Sequence, residues 1–363
     1  MAHQEKTITT KILGTFLLTF GFLLSFKAPA QVALVAKAAG VRAVPSVQRI
    51  QNWATVAENK QLFFDYIQPQ ANKPTIVFLN GLTATTEDWN GMTEYLVSKG
   101  MGVLRFDFYG QGKTLARYGE PKDMIAPENQ AEDLRILLEK LNVPKPYNLV
   151  GHSYGGGIGQ VFISKYPQLV KNLILMAPYT RPVDWQDNWI RTQILMTSYL
   201  YPFNSWTYDQ NYDYYLKIFV YTMFPVGEPS LNTVKYKKES TFRLTQGIRR
   251  VLTEKLAPNY SAGKVHLIVG AMDNLVLPYV LDVFWRKVNP QARMSRVFVQ
   301  GVGHYINAVA PRFTAAWVSH IASGTSVMFQ GHDFLGFPTL GYVETIGGGK
   351  FAFEKDESVL SKK

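Results

Sequence analysis

Short apolar runs recur through the middle of the chain, each stopped by glycine, asparagine or another turn former. Thr75–Leu79 (T-I-V-F-L) ends at Asn80-Gly81, and Val103–Phe108 ends at Tyr109-Gly110. Tyr147–Val150 leads into Gly151, and Asn172–Met176, Val265–Val269 and Arg296–Val299 follow. Near-continuous apolar character, without polar alternation, predicts strands buried on both faces and therefore parallel. Between them, helical spacing predicts helices over Glu87–Lys99, Pro127–Leu141, Gly155–Tyr166, Pro278–Val288 and Ile306–Ile321. Strand and helix in regular alternation predict an α/β fold built on a doubly wound, mostly parallel sheet.

The rhythm breaks between residues 182 and 258. The first half of this stretch is dense in aromatics, among them Trp185, Trp189, Tyr199, Tyr201, Phe203, Trp206, Tyr212 and Phe219. A small helical insertion cannot bury so many, so some are expected to line a site or face a membrane. The second half is basic, with Lys237, Lys238, Arg243, Arg249 and Arg250, and a solvated helix face is the plainer account of it. Attraction to an anionic lipid or to an acidic substrate is the sharper one, consistent with a formal net charge of +11.

Candidate chemistry begins at Val150–Gly156, V-G-H-S-Y-G-G. A serine on a sharp strand-to-helix turn needs small neighbours two residues to either side, here Gly151 and Gly155. Ser153 Oγ would then project above the sheet at a helix N-terminus, where backbone amides favour developing negative charge. Position narrows the six histidines to one base. His304, in Gly301-Val302-Gly303-His304, follows a strand and lies at the carboxyl edge of the sheet, where open α/β folds bind ligands. Asp273, in Gly270-Ala271-Met272-Asp273-Asn274, follows the preceding strand and is suited to orient the imidazole. A turn or helix-capping aspartate is the competing account of Asp273. Asp184 is the second candidate acid, and Asp282, inside a predicted helix, a weaker one.

With Ser153, Asp273 and His304 in that order, the chain resembles the α/β-hydrolase superfamily from about Trp53 to Ser323, in its serine-nucleophile branch with a helical cap. The resemblance implies an oxyanion hole from the backbone N–H groups of Tyr154 and Leu82. Many members read His-Gly where this chain reads Asn80-Gly81. Asn80, His152, Trp185 and Trp189 are candidate substrate contacts. Asp107, after the second run, reads as a residue bonding its own turn; a glycine-rich phosphate cradle there would rest on weak evidence. A serine nucleophile, in place of aspartate, suits acyl transfer and speaks against dehalogenase or epoxide-hydrolase chemistry.

The chain has no cysteine in 363 residues, so disulfides and thiolate metal sites are excluded, and no zinc spacing appears among the histidines. No metal or other cofactor is expected, and no nucleic-acid motif accompanies the charge. Near the N-terminus, Lys6 and Lys11 precede a fifteen-residue apolar run, Ile12–Phe26, followed by Ala28-Pro29-Ala30. As a helix the run spans about 22 Å, against a hydrocarbon core of about 30 Å. An export signal cleaved after Ala30 is expected, with an uncleaved anchor as the alternative. The expected organisation is a signal peptide (1–30), a linker (31–52), a hydrolase core in two parts (53–181 and 259–323), a helical cap (182–258) and a C-terminal extension (324–363). In the extension, Tyr342–Ile346 and Lys350–Glu354 predict a hairpin around Gly347-Gly348-Gly349, with a flexible tail as the alternative. The expected function is an exported serine hydrolase acting on a carboxylic or lipid ester of a small acyl substrate. The alternatives are an aminopeptidase or amidase using the same residues, and a catalytically silent binding protein of the cell envelope.

Overall fold

The computed structural model describes residues 48–223, 229–230, 233–234, 237–260, 264–324 and 332–356. The expected signal peptide and most of the linker therefore lie outside the described residues. In chain order the first elements are β1 (Arg49–Ala57), β2 (Lys60–Ile67), β3 (Thr75–Leu79), α1 (Asn90–Ser98) and β4 (Gly102–Phe106). There follow α2 (Gly112–Tyr118), α3 (Pro127–Lys140), β5 (Tyr147–His152), α4 (Tyr154–Lys165) and β6 (Val170–Met176). The insertion contributes α5 (Asp184–Leu200), α6 (Tyr208–Met223), the two-residue strands β7 (Pro229–Ser230) and β8 (Thr233–Val234), and α7 (Lys238–Ile248). The chain then returns to the sheet with β9 (Lys264–Gly270), α8 (Pro278–Lys287), β10 (Arg293–Val299), α9 (Ile306–Val309) and α10 (Pro311–Ala322). It ends with β11 (His332–Phe337), β12 (Tyr342–Thr345) and β13 (Lys350–Ala352).

Eleven strands form one sheet in the order β1-β2-β4-β3-β5-β6-β9-β10-β11-β12-β13. From β4 to β11 every pairing is parallel, and antiparallel strands close both edges. β3, β4 and β5 are buried at every position, which accounts for their largely apolar runs; the buried Arg105 and Asn148 within them are hydrogen-bonded. Side chains of β3 alternate between the two faces. Ile76 and Phe78 pack with Trp89, Leu96, Phe313 and Trp317 from the α1 and α10 side. Val77 and Leu79 pack with Leu134, Leu138, Ile158 and Phe162 from the α3 and α4 side. The chain turns one way from β3 to β4 and the other way from β4 to β5. The crevice at the carboxyl ends of β3 and β5 is thus a topological switch point, the favoured ligand site of such sheets.

The structure departs from the sequence expectation in three places. The predicted helix over Ile306–Ile321 is broken into α9 and α10 at Ala310, because Pro311 has no N–H to continue the ladder and instead begins a new helix. The sheet does not stop at Ser323. β11 pairs in parallel with β10, with Val297 opposite Phe334, and the hairpin of β12 and β13 adds two more strands. Past that hairpin, Asp356 accepts hydrogen bonds from the Arg312 and Phe313 amides at 2.7 and 3.1 Å, capping the N-terminus of α10 from a distant part of the chain. At the other edge, β1 and β2 form a hairpin that the apolar pattern did not signal.

The insertion has its own small core of Ile190, Tyr212, Leu216, Val220 and Phe242. α7 ties it to the main body. Leu244 and Ile248 join the core on the α3 and α4 side, and a Cβ at Gly247 would come within 1.9 Å of the Ile125 carbonyl oxygen. Most basic side chains of this region are spoken for. Arg249 and Arg250 pair with Asp213, Arg243 with Glu239, and Lys237 with Glu120.

Candidate active site

Ser153 sits between the last residue of β5 and the first of α4, with φ +48° and ψ −115°. This is left-handed backbone that a serine adopts only under constraint, at a cost of about 1–3 kcal/mol. Three hydrogen bonds impose it. The Ser153 amide donates to the Met176 carbonyl at 3.0 Å, and its own carbonyl accepts from the Gly157 and Tyr179 amides at 3.1 and 2.8 Å. The flanking glycines are required by space. A Cβ on Gly155 would lie 2.2 Å from the Leu79 oxygen, and one on Gly151 would lie 2.6 Å from the Gly155 oxygen.

His304 and Asp273 meet on neighbouring loops after β10 and β9. Those loops touch backbone to backbone, since a Cβ on Gly270 would lie 2.2 Å from the Gly303 oxygen. His304 Nδ1 lies 2.9 Å from Asp273 Oδ2, and both side chains are buried. A carboxylate accepts, so Nδ1 carries the proton and Nε2 is left with a free lone pair. Asp273 Oδ1 meanwhile accepts from the Leu275 and Val276 amides, both at 2.9 Å. Asp273 thus bonds its own turn through Oδ1 and the His304 imidazole through Oδ2. The competing acids are engaged elsewhere: Asp184 with Arg181 and Tyr279, Asp282 with Arg286 and Arg296.

His152, the residue before Ser153, connects the two halves of the site. Its Nε2–H donates to the His304 carbonyl at 2.9 Å, and the two imidazole centroids lie 4.9 Å apart. Burial, with His304 beside it, depresses the His152 pKa to about 3, so the ring stays neutral. No hydrogen bond joins His304 to Ser153 Oγ in this arrangement; such contacts commonly tighten only with substrate in place.

The loop after β3 crosses the serine turn. A Cβ on Gly81 would stand 3.6 Å from Ser153 Cβ and 2.7 Å from His152 Nδ1. Leu82 follows, and Thr83 turns the chain with φ +66°. A scaffold of polar side chains fixes this loop from beneath. Gln111 Nε2 donates to the Gly81 carbonyl at 2.8 Å, and Trp89 Nε1 donates to Asn80 Oδ1 at 2.7 Å. Asn80 Nδ2 donates to the Phe106 carbonyl at 2.8 Å. Asp107, fully buried, accepts from the Thr86 and Lys113 amides, both at 2.8 Å, and burial pushes its carboxyl up to about 7.

Two expected substrate contacts are corrected by this arrangement. Asn80 points into the core with both ends of its amide occupied, so it supports the loop and does not face a ligand. His152 is likewise buried between Gly81 and His304. Trp185 and Trp189 pack on Phe219 with ring centroids 5.0 and 5.7 Å away; Trp189 sits against the insertion's own core, while Trp185 stays partly exposed. Gln111 and Trp89 were not singled out from sequence. They act on a loop 30 and 9 residues away, and nothing in their own neighbourhood marks them.

A family model described as the alpha/beta hydrolase fold matches residues 74–200. A bovine (Bos taurus) monoacylglycerol lipase is 30% identical over 124 residues, 33% of this chain and 35% of its own. An uncharacterized protein of Mycobacterium bovis is 31% identical over 104 residues, 29% of each chain. The chain thus spans only about a third of the length of these curated relatives. Among solved structures, a thermophilic esterase from Thermogutta terrifontis superimposes with a TM-score of 0.53 at 19% identity, covering 76% of this chain and 99% of that one. The strand order, the match over residues 74–200 and the structural neighbours together show that this chain has the α/β-hydrolase fold.

Proposed function

We propose that the protein is a serine hydrolase that cleaves carboxylic esters through an acyl-enzyme on Ser153. The observation that carries this reading is the constrained Ser153 turn, tied through His152 to a histidine already hydrogen-bonded to a carboxylate. In the reaction, His304 Nε2 takes the Ser153 proton as Oγ attacks the acyl carbonyl, and Asp273 stabilises the imidazolium that results. The oxyanion is received by the amides of Leu82 and Tyr154, the second lying in the first turn of α4, where helix N–H groups lack internal partners. His304 then returns its proton to the leaving alkoxide, and water releases the acyl group by the same route in reverse.

Ester chemistry is favoured over the aminopeptidase alternative by the state of the insertion's carboxylates. An aminopeptidase of this plan needs an acidic group free to hold the substrate ammonium. Asp184 is bound by Arg181 and Tyr279, Asp187 by Arg191 and Tyr212, and Asp209 and Asp213 by Arg249. The similarity to the monoacylglycerol lipase named above points in the same direction. The test is to compare kcat/KM of the purified chain on acyl esters of graded length and on aminoacyl arylamides. Ester turnover that is lost in Ser153→Ala supports the proposal. Turnover of arylamides alone supports the aminopeptidase, and turnover of neither supports the silent binding protein.

A further inference from the structure

α5 and α6 meet at a tip that presents Leu195, Met196, Tyr199, Tyr201, Phe203 and Trp206 to solvent, with Phe203 98% exposed. From Thr192 to Tyr208, seventeen residues, the chain carries no Asp, Glu, Lys or Arg. An ordinary surface stretch of that length would carry roughly four. The tip is nonetheless a built structure. Thr207 and Gln210 form a reciprocal cap at the start of α6, with the Thr207 amide 2.8 Å from Gln210 Oε1 and the Gln210 amide 3.2 Å from Thr207 Oγ1. Asn204 Oδ1 accepts the Trp206 amide at 3.0 Å, and Asn204 Nδ2 donates to Asn211 Oδ1 at 3.0 Å. A held turn that displays large apolar side chains outward is arranged for contact, since burial in the insertion's own core uses a different set of residues.

We propose that this tip is a membrane-docking surface that inserts its aromatic side chains into the interface of an anionic lipid bilayer. Tyrosine and tryptophan, with apolar bodies and polar edges, suit the headgroup level, and phenylalanine and leucine suit the acyl boundary beneath it. Charge selects the occupant. A formal net charge of +11 draws the whole molecule to an anionic surface and sets two copies of the chain against each other. Among the described residues no helix is long and apolar enough to cross a bilayer. This surface is independent of the reaction assigned to Ser153, so either assignment can fail without the other.

The absence of cysteine makes the test direct. In the full-length chain, Phe203→Cys gives a single thiol for an environment-sensitive fluorophore, and Lys350→Cys on β13 serves as a control in a second preparation. Vesicles of phosphatidylcholine with phosphatidylglycerol should blue-shift the label at 203 and expose it to quenching by spin-labelled acyl chains, while the label at 350 stays in water. Phosphatidylcholine alone should give a weaker response. Phe203→Ser with Trp206→Ser, read in the same vesicles by a label at Tyr199→Cys, should lower partitioning into the interface at least about tenfold. A label at 203 that stays in water while the protein sediments with vesicles overturns the proposal. So does a label shielded before lipid is added, which would show a second copy or another part of the chain covering the tip.

Discussion

Phe78 and Phe203 carry the same side chain in opposite settings. Phe78, on β3 below the loop that crosses Ser153, is fully buried and stacks on Trp89 with ring centroids 4.2 Å apart. Phe203, at the tip of the insertion, is almost wholly in water. Around Phe78 the polar groups are buried and tied together: Asn80, Asp107 and Gln111 each hold backbone of the adjoining loops. Around Phe203 the chain is uncharged, rich in aromatics and turned outward. The first region spends its side chains on holding a few backbone atoms in place, and the second turns its large apolar side chains to solvent. Such a difference is expected where one part performs chemistry and another part meets an extended surface.

The sharpest way to break this comparison is at the site itself. Asp273→Asn keeps the shape of the turn but favours the wrong imidazole tautomer on His304. Ester kcat/KM should fall by about 10⁴-fold, measured by steady-state kinetics beside a melting curve showing the fold retained. A fall smaller than tenfold would remove Asp273 from the mechanism and return it to a turn residue.

Stability should divide the two phenylalanines just as cleanly. Phe78→Ala is expected to cost about 3–5 kcal/mol, since a fully buried ring is lost and a cavity remains beside Trp89. Denaturant titration of both variants checks the pair.

pH sharpens the contrast further, because the site region contains a histidine held neutral. His152 takes a proton near pH 6.5 in the unfolded chain but only near 3 in the folded one. Between those limits this group binds more protons in the unfolded state, so its contribution to stability is full above about pH 6.5 and is lost as acid is added, opposed by the buried Asp107 carboxyl, whose pKa raised to about 7 acts with the other sign. The slope is at most about 1.4 kcal/mol per pH unit. His152→Gln should flatten that slope while keeping a donor for the His304 carbonyl. An unchanged acid slope would place its cause in other groups. Smallest of all is the effect at the tip. In the absence of lipid, Phe203→Ser should change stability by less than about 0.5 kcal/mol and leave hydrolysis of a soluble short-chain ester unaltered.

What the sequence disclosed follows from how local each constraint is. The turn at Ser153 is written within five residues, because Gly151 and Gly155 are demanded by the clash their side chains would cause. β3, β5 and β9 are legible because strands covered on both faces are largely apolar, the buried Asn148 and His266 being paired with neighbouring side chains. β1 is not. Its residues Arg49, Gln51 and Asn52 belong to the exposed first half of an edge strand, wet on both faces there, and only its register with β2 reveals it. The hairpin of β12 and β13 is marked by its glycines, with Gly347 at φ +82°, but its attachment through β11 to β10 depends on pairing between distant segments. Asn80 looked like a substrate contact because of where it sits in the chain. Trp89 and Phe106, which take up both ends of its amide, become its neighbours only in the folded structure.

The central claim is that Ser153 is the nucleophile, and covalent capture tests it most directly. A fluorophosphonate probe added to the purified chain should form one adduct, located by peptide mass spectrometry at Ser153. The adduct should vanish in Ser153→Ala and form far more slowly in His304→Ala, where the base is missing. A stable adduct on another residue, with Ser153 unmodified in a folded chain, would contradict the account.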